Sequence, residues 1–340
     1  MGDVLQTENG NRIIGSGDYQ YEFIPNWGSF PGKIYNNGVA VDSHDRVYVL
    51  SLGFGSYKNL ERSELIYVND YDGNLLDSWG KGNCDHGHSV NIVDDIVYIC
   101  DKYGSTCLKF TLDGRILQLL GQHGMHSDTG CTESDGPVLR PSGPFNRPDD
   151  FIRAPWGDLY VADGTHNSRI HRFDGGGHLI QSWGAWGTAP GEFKTPHAVL
   201  PTADRLVYVC DRANHRIQVF TPEGRHLETW AGEVQWPSKI LKTHEGDFLV
   251  AEDPGNQTAR GHTLDRSEAK APRPSGIRVL DKHGKLITHL ETGKTHQMTI
   301  DSRGDIYTAT HDTVNKLVRL NGRARRAPTY ATSYGAVPLV

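Results

Sequence analysis

The sequence predicts an all-β fold, a six-bladed β-propeller, on three observations: a β-rich unit that repeats six times, Gly-containing tight turns at one fixed place in the unit, and a last unit one strand short. The runs VYVLS (47–51), VYICD (97–101), LYVAD (159–163), VYVCD (207–211), FLVAE (248–252) and IYTAT (306–310) recur about 40–60 residues apart, and a period of that length marks a repeat architecture. A second β-rich run precedes each of them. A third follows and leads into a turn built on D-G, E-G, H-G or G-G, the strongest short-range hairpin signal. Four antiparallel strands at this spacing make a propeller blade, because one such sheet buries both faces only against its neighbours.

Blade one spans about 37–80, from NGVAVDSHDR to NLLDSWG, and blade two about 85–121, from HSVNIVDD to RILQLLG. Blade three (145–184) runs from DDFIRAPWGD to HLIQSWG. Blade four (193–232) has the plainest unit: HAVLPTA, RLVYVCD, HRIQVFTPEG, RHLETWAG. Blade five (234–291) ends in IRVLDKHGKLITHLE, and blade six (293–321) stops after three strands. The N-terminal DYQYEFIPNWGSF carries the Trp-Gly ending seen at Trp79-Gly80 and Trp183-Gly184. Residues 19–30 are therefore expected to complete blade six and close the ring, which removes exposed sheet edges. One propeller domain over 1–340 is expected. Two long insertions, Gly121 to Phe145 and Asp253 to Ser275, and the blade-one loop SLGFGSYKNLERSE are expected to cover one mouth of the central tunnel.

Lys+Arg number 35 against Asp+Glu 41, a net charge of −6. That balance offers no basic footprint for phosphate backbones, so no nucleic-acid partner is expected. No apolar run approaches the ~20 residues that span a bilayer, and MGDVLQTENGNRIIG has no signal-peptide pattern; a soluble, cytoplasmic chain with no membrane partner is expected. Five cysteines (Cys84, Cys100, Cys107, Cys131, Cys210), an odd set without C-x-x-C, fit neither a disulfide framework nor a cysteine zinc site.

The 17 histidines carry the functional signal. Aligning the blades at the residue that opens the first strand gives Asn37, His88, Asp149, His197, Ser238 and His296. First strands lie innermost, so these positions form a ring around the tunnel, with imidazoles from every second blade about 120° apart. Three histidines with an open position are the usual catalytic zinc arrangement; zinc or another divalent transition metal is the expected cofactor, since imidazole suits several. His86 is a competing ligand or a donor behind His88. His123, His126, His178, His226, His244, His283 and His289 are expected in solvent. Second strands end in Ser51, Asp101, Asp163, Asp211, Glu252 and Thr310, where the acids are expected to cap the following turns. The next residues, Leu52, Lys102, Gly164, Arg212, Asp253 and His311, then Tyr103 and Thr165, are placed to reach a substrate.

The segment GEFKTPHAV, with its G-E-F-x-x-P pattern, is similar to NHL repeats. FNRPDDFIRAPWGDLYVADGTHNSRIHRF and TPHAVLPTADRLVYVCDRANHRIQVF make the chain resemble the peptidyl-α-hydroxyglycine α-amidating lyase family over 37–320. The resemblance implies a single zinc on His88, His197 and His296, and an active-site arginine at Arg212. It breaks elsewhere: Thr165 stands at the family's catalytic tyrosine, Leu52 at its other arginine, and Gln297 at its calcium-binding Asp. A related metal-dependent lyase or hydrolase acting on a small polar molecule is therefore expected, with Arg212 as the anchor for a carboxylate and Asp149 or Tyr103 moving the proton. Asp149 could equally be a fourth ligand or fix an imidazole tautomer. Two alternatives remain: a non-catalytic propeller that binds a protein partner, and a calcium-dependent lactonase type with carboxylate and amide ligands.

Overall fold

The computed structural model describes residues 5–32, 34–52, 63–132, 136–254 and 273–321. Six antiparallel sheets surround one axis, and the first strand of each packs against the first strands on either side, so the ring closes. Blade one is Asn36–Val41, Val47–Ser51, Ile66–Asn69 and Leu75–Trp79; blade two is Gly87–Val93, Ile96–Asp101, Thr106–Thr111 and Ile116–Leu120. Blade three is Asp150–Arg153, Leu159–Asp163, Arg169–Phe173 and Leu179–Trp183, and blade four is Pro196–Pro201, Val207–Asp211, Arg216–Phe220 and His226–Ala231. Blade five is Pro237–Lys242, Phe248–Glu252, Ile277–Leu280 and Leu286–Leu290.

Blade six holds Gln297–Ile300, Ile306–Thr310 and Thr313–Arg319 from the C-terminal side, and the N-terminal strand Tyr19–Ile24 pairs antiparallel with Thr313–Arg319 as the expected fourth strand. A fifth strand, Arg12–Ser16, hairpins onto it. The sequence reading missed this strand, whose RIIGS is short; it pairs with its hairpin partner and also meets blade five, where Ser16 Oγ lies 2.9 Å from Thr288 Oγ1.

Apolar clusters lie between blades, not in the tunnel. One joins Tyr48, Leu50 and Ile66 of blade one to Val90, Ile99 and Phe110 of blade two; another joins Tyr208 and Ile217 of blade four to Ile240 and Phe248 of blade five. Each fully buried side chain of this size contributes about 1.5–3 kcal/mol. A glycine interlock repeats with them. In blades two, four and five the hairpin glycine before the fourth strand has positive φ and lies on the tryptophan of the preceding blade: a Cβ on Gly114 (φ +87) or Gly224 (φ +75) would stand 2.7 Å from Trp79 or Trp183, whereas Gly177 of blade three lies on Leu120. Gly73 lies in the same way over Trp27, which takes the place of a blade-six fourth-strand tryptophan.

The described part of the Gly121 to Phe145 insertion is tied to blade three, where Asn167 Nδ2 donates to Ser142 O (3.3 Å) and Gly143 O (3.2 Å). The blade-one loop and most of the blade-five insertion lie outside the described residues. Among the described residues, no helix is long and apolar enough to cross a membrane.

Candidate metal centre

The end of the second strand positions the start of the first. Asp101, Asp163, Asp211 and Glu252 are buried, and each accepts a backbone N–H from the chain entering its own blade: His86 N (2.9 Å), Asn146 N (3.0 Å), Lys194 N (2.8 Å) and Gln235 N (2.7 Å). These acids are structural, but their shared backbone bond is to the segment entering the blade rather than to the following turn as expected; Asp101 also accepts Gly104 N (3.1 Å) of the turn after it, and Asp163 and Asp211 take the side chains of Asn167 and Asn214 there (2.8 Å each). Burial raises the carboxyl of Asp211 to about 6, against the lowering pull of Arg216.

Each pinned segment delivers its ring residue to the tunnel. His88, His197 and His296 are buried, their ring centroids lie 4.9–5.0 Å apart pairwise, and one ring nitrogen of each lies within 4.8 Å of the other two. The intervening ring positions supply backbone. His88 Nδ1 bonds Asp149 O (2.8 Å), His197 Nδ1 bonds Ser238 O (2.7 Å), and His296 Nδ1 bonds Asn37 O (2.8 Å). A carbonyl only accepts, so each Nδ1 carries the proton and each Nε2 lone pair is left for a ligand. His197 Nε2 is buried without a partner. Burial holds His88 and His197 well below the usual imidazole range, aided by Lys102 and Arg212 respectively, and brings His296 down to about 3 although Asp253 opposes the shift. Three neutral, tautomer-locked imidazoles with converging Nε2 atoms are a donor set that fits a divalent transition metal.

Around them stand the other predicted residues. Asp149 is fully buried; Lys102 Nζ bonds its Oδ1 (2.8 Å), Thr165 Oγ1 donates to both oxygens (2.8 and 2.9 Å), and Oδ1 lies 3.5 Å from His88 Nε2. Sequence reasoning placed Lys102 and Thr165 at the mouth but missed that both serve Asp149. Gly164 makes the approach possible, since a Cβ there would sit 2.7 Å from Asp149 Oδ2. Arg212 Nε donates to Asp253 O (3.0 Å), and Lys294 lies 3.4 Å from the Asp253 carboxylate. Tyr103 is farther out: it is 39% exposed, with its ring 4.5 Å from that of His86, which in turn is 6.2 Å from His88, and with the Arg147 guanidinium 5.3 Å above it. His166 meets Arg147 (3.3 Å), and His311 lies 5.4 Å from His296, both at this mouth. His171, which sequence reasoning passed over, is fully buried on Asp163 and Ser182.

A family model described as the NHL repeat matches residues 193–220. The chain is a six-bladed propeller with a match to the NHL repeat in its fourth blade. It is similar to NHL repeat-containing protein 3 of Homo sapiens, at 29% identity over 226 residues that cover 62% of this chain and 60% of that protein. It is also 28% identical over 243 residues to peptidylglycine alpha-amidating monooxygenase of Rattus norvegicus, covering 62% of this chain and 23% of that protein. The match to this chain thus spans about 60% of the length of the first of these relatives. Among solved structures, the gluconolactonase XC5397 of Xanthomonas campestris aligns with a TM-score of 0.59 at 13% identity, covering 93% of this chain and 97% of that one. At that identity the likeness concerns the fold.

Proposed function

We propose that this NHL propeller is a metal-dependent lyase or hydrolase that acts on a small, anionic polar substrate at one mouth of its tunnel. The observation that carries the reading is the triad of buried imidazoles, each proton pinned to a neighbouring blade's carbonyl and each Nε2 turned to a common point. Zinc suits the donor set; when bound, such an ion polarises a substrate oxygen or lowers the pKa of a water toward neutrality. The chain supplies the rest. Lys102, Arg147, Arg212 and Lys294 gather about the mouth against Asp149 and Asp253, which favours an anionic substrate. Held through Nε, the Arg212 guanidinium takes a carboxylate through its Nη groups. Asp149, with Lys102 as counter-ion and Thr165 fixing its plane, is the group nearest the triad that can accept and return a proton. Tyr103, on the rim over His86, suits substrate contact better than proton transfer at the axis.

Similarity to a probable peptidyl-alpha-hydroxyglycine alpha-amidating lyase of Caenorhabditis elegans, 40% identical over 80 residues that cover 23% of this chain, supports the lyase side of the reading. Thr165 hydrogen-bonds Asp149 where the family has its tyrosine, so turnover of hydroxyglycine peptides is expected to be weak or absent. A calcium-type lactonase site is disfavoured by the side chains between the histidines: Ser238 Oγ donates to Ala251 O and Thr295 O and Asp149 is held by Lys102, which leaves Asn37 Oδ1 as the one unpartnered oxygen among these three side chains. The test is elemental analysis of the purified protein, followed by a screen of metal-loaded and metal-free protein against hydroxyglycine peptides, lactones, amides and activated alkenes. Metal-dependent turnover of one class supports the proposal. No bound metal and no turnover, with capture of a defined protein partner, would favour the non-catalytic propeller.

A further inference from the structure

Just below the histidines, the tunnel is crossed by a buried ion pair that the chemistry above does not use. Lys239, on the first strand of blade five, is 2% exposed and reaches across the axis to Asn91 Oδ1 of blade two (2.7 Å) and to both Asp150 oxygens of blade three (3.2 and 3.1 Å). Asn91 Nδ2 closes the network on Asp150 Oδ1 (2.8 Å) and Phe151 O (2.9 Å), and Val199 N of blade four donates to Asp150 Oδ2 (3.2 Å). Four blades meet in it. All three ammonium protons and both carboxylate oxygens have partners, which is the condition under which a buried pair is tolerated.

Its place along the strands gives it a second role. Asp150 follows Asp149, whose carbonyl takes the His88 proton, and Lys239 follows Ser238, whose carbonyl takes the His197 proton. Asn91 lies three residues beyond His88 and Val199 two beyond His197. We propose that Lys239, Asp150 and Asn91 form a positioning clamp for the three-histidine centre, holding the Asp149 and Ser238 carbonyls so that the His88 and His197 Nε2 atoms converge. The inference rests on the metal-centre reading. Groups behind imidazole ligands commonly change metal affinity 10–100-fold when removed.

The experiment compares wild type, the charge-neutral pair Lys239→Met/Asp150→Asn, and Arg172→Met, which breaks an ion pair with Asp158 (2.6 Å) away from the ring. Zinc affinity by competition with a chromophoric chelator, the visible spectrum of the cobalt(II) form, and histidine 15N tautomer signals of the metal-free protein are read beside thermal melting. The clamp predicts zinc binding weakened about 10–100-fold in the neutral pair, an altered cobalt spectrum, and loss of the single Nδ1-protonated tautomer at His88 and His197, with cooperative melting retained. Arg172→Met should lower the melting temperature and leave the other readouts unchanged. If the neutral pair does not fold, Asn91→Leu is read in the same way. Unchanged zinc affinity, cobalt spectrum and tautomers in a folded clamp variant would overturn the clamp while leaving the metal centre intact; wild type that binds no zinc would overturn both.

Discussion

Two layers of the same tunnel, one to three residues apart along the same strands, treat polar groups in opposite ways. In the lower layer every hydrogen-bonding atom of the Lys239, Asp150 and Asn91 side chains is matched. In the upper layer each imidazole satisfies one nitrogen and turns the other inward, and His197 Nε2 and Asn37 Oδ1 are buried with no partner. An unmatched buried polar atom costs about 1–3 kcal/mol. Two layers of equal burial thus separate by what they leave unmade: the paired one holds blades together, and the unpaired one keeps donor atoms for a ligand.

Both layers depend on a closed ring, so the largest effect is expected from opening it. Deleting residues 1–30 removes Tyr19–Ile24, Arg12–Ser16 and Trp27; loss of cooperative melting, seen by circular dichroism, is the expected outcome, and full retention would uncouple the layers from closure. Next, Lys239→Met alone leaves Asp150 buried without its counter-ion and should cost about 3–5 kcal/mol in urea unfolding, much of it recovered when Asp150→Asn is added.

Acid should act on the upper layer. His296 has a folded pKa of about 3 against the unpaired value near 6.5, so below pH 6.5 the unfolded chain binds a proton that the folded chain refuses, and stability falls as pH falls through that window. Between pH 7.5 and pH 5 the metal-free wild type should lose about 2 kcal/mol more than metal-free His296→Leu, from the free energy of 1.36 kcal/mol per pH unit.

His197→Leu sharpens the contrast with Lys239→Met. Removing a histidine whose Nε2 has no partner should leave metal-free stability within about 1 kcal/mol of wild type, while bound metal, read by elemental analysis, is lost. The smallest effect is expected at Thr165→Val, which takes one hydroxyl from Asp149: about 1 kcal/mol of stability, with metal content kept and any turnover reduced.

The unequal treatment of the layers also explains what could be read in advance. His88, His197 and His296 were legible because a repeat of similar units converts equal positions in sequence into equal positions around an axis. The second-strand acids were legible for the same reason. Lys239 was not. In SKILK it reads as one polar residue of an alternating strand, and its partners lie 89 and 148 residues away in blades that share no local signal with it. Arg12–Ser16 was missed because a short extra strand outside the four-strand unit carries no repeat. The link from Lys102 to Asp149 needed the distance between blades two and three, and that from Thr165 the distance between two strand ends of blade three.

By itself, then, the sequence determined the number of blades, the order of strands within them, the source of the closing strand and the three-histidine ring, because each is a local pattern multiplied by a repeat. Tertiary structure alone decided which imidazole nitrogen is tied and which is free, that Asn37, Asp149 and Ser238 act on the histidines through their carbonyls, and that the tunnel below is crossed by an ion pair. The physical reason is that hydrogen bonds across an axis depend on distances of a few tenths of an ångström between residues a hundred positions apart, and no periodicity records those distances.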